Sequence, residues 1–236
     1  MRVLDIATGA GDVAFIAAKF VGPSGHVLGL DRNPDAIARA KHRNKGSVRA
    51  GWTEFRTGSL SDLDPDQMFD LVIGRFVLAF QPDPATFLRQ AAERVRPGGA
   101  IAFLEPALKN DSSTRSIPTV PLWESTMDLV SKAFRSAGTR DDQGYQLVNT
   151  FFHAGLSEPT LVCDALMGGP GMSPIVKWAC LTLQSLLPQL EKIGAATAPD
   201  LEFDTLEARL RDATSAAHSQ LIFYAAIGAW ARLGRK

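Results

Sequence analysis

Asp5, Gly9, Gly11 and Asp31 are the residues whose types and spacing first suggest chemistry. Asp5 sits in a short apolar run, Val3-Leu4-Asp5-Ile6, as expected of a strand buried on both faces of a parallel sheet. Gly9 and Gly11 permit a sharp turn with positive φ and close approach of backbone to a ligand. Residues 13–21 then read as a helix that starts at Asp12 and stops at Gly22-Pro23. Strand, glycine loop and helix start make a small-molecule cradle at the carboxyl edge of a sheet. Two ligands compete for it. Gly9-x-Gly11-x-x-Ala14, with Asp31 twenty residues past Gly11, fits a dinucleotide fingerprint on spacing alone. Asp5 argues the other way, because a carboxylate there would repel a pyrophosphate across a low-dielectric turn. A ligand bearing an ammonium and a sulfonium would be attracted instead.

Asp5-x-x-x-Gly9-x-Gly11 resembles the first motif of the class I S-adenosylmethionine-dependent methyltransferases, with Ala7 in place of the family's usual first glycine. A second stretch carries the same resemblance. Strand 69–74 leads into Arg75-Phe76-Val77-Leu78, and Asp83-Pro84 opens a helix with Leu88, Ala91, Ala92 and Val95 on one face. Pro97-Gly98-Gly99 ends that helix and turns into a fifth strand over residues 100–105. The likeness is close over residues 1 to about 105 and looser beyond. It implies an α/β fold, Rossmann-like, with a seven-stranded, mostly parallel sheet in the order 3-2-1-4-5-7-6, helices on both faces and a helical lid. It also implies S-adenosyl-L-methionine as cofactor and methyl transfer, mainly by alignment, to an oxygen, nitrogen or carbon of a small organic acceptor. The layout of the C-terminal third resembles bacterial enzymes of secondary metabolism.

The resemblance assigns roles residue by residue. Asp5, Ala7, Thr8, Gly9 and Gly11 form the cradle, and Asp31, ending strand 26–31, accepts the ribose 2′- and 3′-hydroxyls. Arg32 follows and can lay its planar guanidinium over adenine. After strand 52–58, Ser59 stands where the family usually has Asp, while backbone groups around Leu60 read the adenine edge. Arg75, a charge at a strand end, needs a partner, either the methionine carboxylate or a structural acid. Glu105 is the candidate base, its alternative role being a structural acid on a loop or on Arg75. Phe76, Phe80, Trp123 and Tyr145 are candidates to wall the acceptor. The rival reading is a non-catalytic cofactor-binding subunit, partner of an active enzyme, for which Ala7, Ser59 and the abrupt N-terminus speak.

Composition bounds the alternatives. The 236 residues are 45% hydrophobic, enough for a large core. Lys plus Arg and Asp plus Glu are 25 each, which argues against nucleic acid as a partner. Cys163 and Cys180 lack metal-ligand spacing, so no metal is expected and the thiols suit a reducing cytoplasm. The longest apolar run, 221–231, is too short to span a bilayer, and no signal peptide precedes the first strand. The expected partner is a small molecule, not a membrane; homo-oligomerisation is left open. One domain is expected over 1–236, with a cofactor core (1–105), a lid and acceptor insertion (106–155) and a C-terminal sheet completion (156–236).

Within these parts, Trp123, Met127, Val130, Phe134 and Ala137 follow helical spacing, and 145–153 reads as a helix whose His153 is exposed or capping. A sixth strand is expected over 160–166, a mobile loop at 168–171, and a helix from Ser173-Pro174 interrupted at Pro188. Asp204-x-x-Glu207 resembles a capping box, and 221–231 supplies a last strand inserted antiparallel. Met1 lies two residues before the first strand, whereas the resembling enzymes carry upstream helices. That predicts a shortened start, or a gap filled by another subunit or by 106–144.

Overall fold

The structure, a computed structural model, describes residues 1–108, 115–169 and 174–234. Its chain divides into two compact units, one of Met1–Glu105, Gln146–Val162 and the residues from Gly228 on, the other of Pro106–Tyr145 and Cys163–Ile227.

The first unit begins with β1 (Arg2–Ile6), α1 (Asp12–Val21), β2 (His26–Asp31), α2 (Pro34–Asn44), β3 (Thr53–Thr57), β4 (Phe69–Arg75) and α3 (Pro84–Ala92). β1 pairs in parallel with β2 on one side and β4 on the other, and β3 pairs in parallel with β2. Parallel strands covered by helices bury both faces, and β1 and β2 are buried along most of their length, whereas the edge strand β3 exposes Glu54 and Thr57. Val3, Val27 and Phe55 accordingly pack with Ala14, Ala18 and Val21 of α1 and with Ile37 and Ala40 of α2. Gly11 caps α1 in a left-handed conformation and Gly22 closes it, while the Asn33 side chain caps α2 by accepting from Asp35 N and Ala36 N. Pro34 takes the first helical turn, where its missing N–H costs nothing.

β5 (Val95–Ala107) starts earlier than the sequence suggests. Val95 leaves the α3 face to pair with Phe69, and the next pairing is Leu71 with Ala100. Arg96, Pro97, Gly98 and Gly99 therefore form a bulge within the strand instead of a turn before it. Gly98 has a φ of 80°, and hydrogen bonds from Gly98 N to Leu233 O and from Leu233 N to Gly99 O hold the bulge. Such a bulge adds residues to one strand only and bends it locally.

The chain continues with β6 (Arg115–Ile117), α4 (Pro121–Ser136), α5 (Leu147–His153), β7 (Thr160–Gly168), α6 (Pro174–Lys192), α7 (Ala198–Leu201), α8 (Phe203–Ala216) and β8 (Gln220–Arg232). The strand order is β3-β2-β1-β4-β5-β8-β6, with β7 also pairing β8. The expected seven strands become eight, because the short β6 pairs antiparallel with β8 through Arg115–Ile222, Ser116–Leu221 and Ile117–Gln220. β7 and β8 each contribute residues to both units.

In the second unit, α4 buries Trp123, Thr126, Met127, Val130 and Ala133, so most of the predicted stripe is core, while Ala137 caps the helix end. α6 runs through Pro188 without ending there. Leu183 and Leu190, fully buried on either side of it, hold the helix together across the missing hydrogen bond. The predicted capping box also moves. It belongs to α7, where Thr197 and Asp200 cap each other; α8 instead starts at Glu202 with a φ of 48°, and Glu207 pairs with Arg211 at 2.8 Å. In the first unit, His153 is exposed and its Nδ1 lies 2.9 Å from Asn149 O. Of the predicted loop at 168–171, Pro170 and Gly171 lie outside the described residues, as does Ser173. Among the described residues, no helix is long and apolar enough to cross a membrane.

Candidate functional site

Three left-handed residues shape the loop after β1: Ala7 (φ 54°), Gly9 (57°) and Gly11 (87°). Thr8 between them donates its N–H to Leu30 O (3.0 Å) and its hydroxyl to Asp5 Oδ2 (2.5 Å). Asp5 is almost wholly buried, and burial pushes its carboxyl up to about 7 against the pull of Thr8 and, more weakly, of the Arg75 charge. A positive charge brought near this group would restore its ionised form.

Asp31 ties the loop to β2. Its Oδ2 accepts from Gly9 N (2.8 Å) and its Oδ1 from Asn33 N (2.9 Å). Each carboxylate oxygen has a second lone pair, so both can still accept a hydroxyl. Phe55 of β3 underlies the loop: a methyl added at Gly11 would come within 2.7 Å of its ring, and one at Gly29 within 2.6 Å. Those two positions need glycine because a ring already fills the space.

A cavity of about 130 Å³ lies beside this loop, lined by Ile6, Ala7, Leu30, Asp31, Arg32, Gly58, Ser59, Leu60, Val77, Gln81 and Phe87. Of the residues read from sequence, Ala7, Asp31, Arg32, Ser59 and Leu60 meet here. Asp5, Thr8, Gly9 and Gly11 belong to its supporting loop. Ser59 gives its hydroxyl to Asp62 Oδ2 (2.7 Å), which also accepts Ser59 N. Those bonds hold the Asp62 carboxyl below its usual range, so a carboxylate stands on this turn three residues beyond the serine. Arg75 is exposed, with its guanidinium carbon 5.1 Å from the centre of the Phe76 ring.

Glu105 is fully buried, and its oxygens accept three backbone N–H groups, from Val77 (3.0 Å), Leu78 (2.8 Å) and Ala79 (3.1 Å). Burial nevertheless pushes its carboxyl up to about 7. Phe80 in the first unit and Tyr145 in the second are exposed, whereas Trp123 is enclosed in the second unit's core. Sequence reading missed Val77, Gln81 and Phe87, whose only signal was their place after the fourth strand and in the following helix. Asp62 was missed as well, and its signal was the spacing Ser59-x-x-Asp62 of a capping box. Among the described residues, no group of three His, Cys, Asp or Glu side chains could hold a metal ion.

A glycine loop held by a strand-end acid opens on a cavity at the carboxyl edge of parallel strands, where open α/β folds place their ligands. The chain belongs to the methyltransferase domain family of class I, S-adenosylmethionine-dependent enzymes, whose model matches residues 1–146. It is 37% identical over 105 residues to the 2-phytyl-1,4-naphtoquinone methyltransferase of Synechococcus elongatus, covering 44% of this chain and 45% of that one. It is 37% identical over 102 residues to the arsenite methyltransferase of Halobacterium salinarum, covering 43% and 26%. The chain thus spans less than half the length of these curated relatives. Among solved structures it is similar to an S-adenosylmethionine-dependent methyltransferase from Geobacter sulfurreducens in complex with S-adenosyl-L-homocysteine. That likeness has a TM-score of 0.55 and 20% identity, and covers 99% of this chain and 84% of the other; it speaks for the fold.

Proposed function

We propose that the chain binds S-adenosyl-L-methionine and transfers its methyl group to a small organic acceptor. The observation that carries the reading is Asp31, whose carboxylate is fixed by Gly9 N and Asn33 N while it lines the cavity. Such an acid suits a ribose diol, and the buried Asp5 behind the loop suits a cation and opposes a pyrophosphate. The cofactor, when bound, supplies an activated methyl on a sulfonium. The chain's share is then to bind and align. Asp31 would hold the ribose, Arg32, Ser59 and Leu60 the adenine, Asp5 the positive end, and Arg75 the amino-acid carboxylate. Phe76 and Phe80 are the aromatic residues we assign to the acceptor side of the first unit.

The curated relatives act on a quinone and on arsenite by name. Arsenic(III) is thiophilic and calls for thiolates. Here Cys180 is buried, which pushes its thiol up to about 11, and neither it nor the exposed Cys163 lines the cavity. This supports an organic, quinone- or phenol-like acceptor over an arsenical one.

Calorimetric titration with S-adenosyl-L-homocysteine and NAD, then incubation with labelled S-adenosyl-L-methionine and a panel of quinols, phenols, amines and indoles, tests the reading. Binding of the adenosyl compound alone and a product heavier by one methyl group are expected. Tight binding of NAD without the adenosyl compound would overturn the cofactor, and binding with no product from any acceptor class would point to a non-catalytic subunit.

A further inference from the structure

This inference rests on the cofactor reading above and concerns Glu105. Val77, Leu78 and Ala79 are consecutive, and all three N–H groups converge on the one carboxylate. The turn they form starts at Phe76, which is held left-handed at a φ of 56° and donates its N–H to Leu104 O (2.8 Å). It continues through the short helical turn Leu78–Phe80 to Gln81, whose Nε2 donates to Val77 O (3.1 Å). Val77 and Gln81 are cavity-lining residues. A fan of successive backbone N–H groups is an anion nest, and here its anion is a side chain of the same protein.

A general base must come within hydrogen-bond reach of the proton it removes. Glu105 has no solvent exposure and both its oxygens are engaged by backbone. We infer that Glu105 is a positioning residue: its carboxylate sets the 76–81 turn and so builds one wall of the cofactor cavity, and it does not act as the base. Without it, three buried amides would lack partners, and the turn that follows the left-handed Phe76 would lose the bonds that fix its course.

Glu105→Gln tests this, because it keeps size and one carbonyl oxygen but turns an NH₂ group toward a backbone donor; Glu105→Ala is the harsher companion. Each is compared with the unaltered chain by titration with S-adenosyl-L-homocysteine, by thermal unfolding and by hydrogen exchange of residues 76–81. For Glu105→Gln we expect about tenfold or greater loss of affinity, as for one charge-assisted contact. Faster exchange at residues 77–79 and a nearly unchanged melting temperature should accompany it, since a neutral amide is less costly to bury than a carboxylate. A merely structural role would lower melting temperature and affinity in step. Unchanged affinity, or unchanged exchange at residues 77–79, overturns the inference, and Glu105→Gln decides if Glu105→Ala fails to fold. Should the unaltered chain itself not bind the adenosyl compound, the cofactor reading falls first and takes this inference with it.

Discussion

The glycine loop offers a graded test of where the fold stores backbone strain. Ala7 adopts a φ of 54°, a region that costs an L residue about 1–2 kcal/mol. Ala7→Gly removes that cost but frees the unfolded chain, which offsets it by roughly 0.4–1 kcal/mol. The balance is a stabilisation of about 0.5–1 kcal/mol, or about 1–4 °C in melting temperature for a chain of this size. Gly9→Ala is the mirror experiment. Nothing lies within 4 Å of the added methyl, so its loss is conformational alone, again about 0.5–1 kcal/mol. Gly11→Ala adds a collision, with the Phe55 ring at 2.7 Å and Phe15 at 3.0 Å, and overpacking contributes a further ~1–3 kcal/mol. Differential scanning calorimetry should therefore rank Ala7→Gly above the unaltered chain, Gly9→Ala below it and Gly11→Ala lowest. If Ala7→Gly melts at or below the unaltered chain, the strain argument is refuted. If Gly11→Ala melts no lower than Gly9→Ala, Phe55 is not where the packing argument puts it.

Asp31→Ala should weaken S-adenosyl-L-homocysteine by roughly tenfold to a hundredfold, the value of a lost charged contact; calorimetric titration giving an unchanged affinity would remove Asp31 from the ribose. Asp5 carries a pH signature. Its carboxyl titrates near 3.8 when unfolded and near 7 when folded, so the native state holds the extra proton between those values and stability falls as pH rises from about 4 to about 7. Asp5→Asn has no such slope, and its stability relative to the unaltered chain should climb between about pH 4 and about pH 7 in urea titrations; a difference independent of pH would sink the assignment.

How much was legible in the sequence depended on how local the cause was. α1 and β2 fall where Asp12, Gly22 and the 26–31 run put them, because caps and apolar runs act over a few residues. The bulge after Val95 was not legible, since a partner at Phe69 and the bonds to Leu233 decide it. β6 likewise exists only because β8 offers a pairing edge. At the site, Asp31 and the glycines announced themselves by type and spacing. Val77, Gln81 and Phe87 did not, because an apolar or amide side chain becomes a cavity wall only through the turn that aims it.

The bonds from Gly9 and Asn33 to Asp31 have a consequence for how a ligand would arrive. If Asp31 is the ribose acceptor proposed above, gluing the loop and receiving the diol would be tasks of the same carboxylate, so the bonds from Gly9 and Asn33 would fix the acceptor independently of any ligand. Association would then add hydroxyls to waiting lone pairs without ordering a segment of chain, and the entropy of loop immobilisation drops out of the binding free energy. Such a preorganised site trades adaptability for readiness. Its backbone should superimpose closely between free and bound forms, and a ligand lacking the diol would find no second arrangement of the loop to settle into.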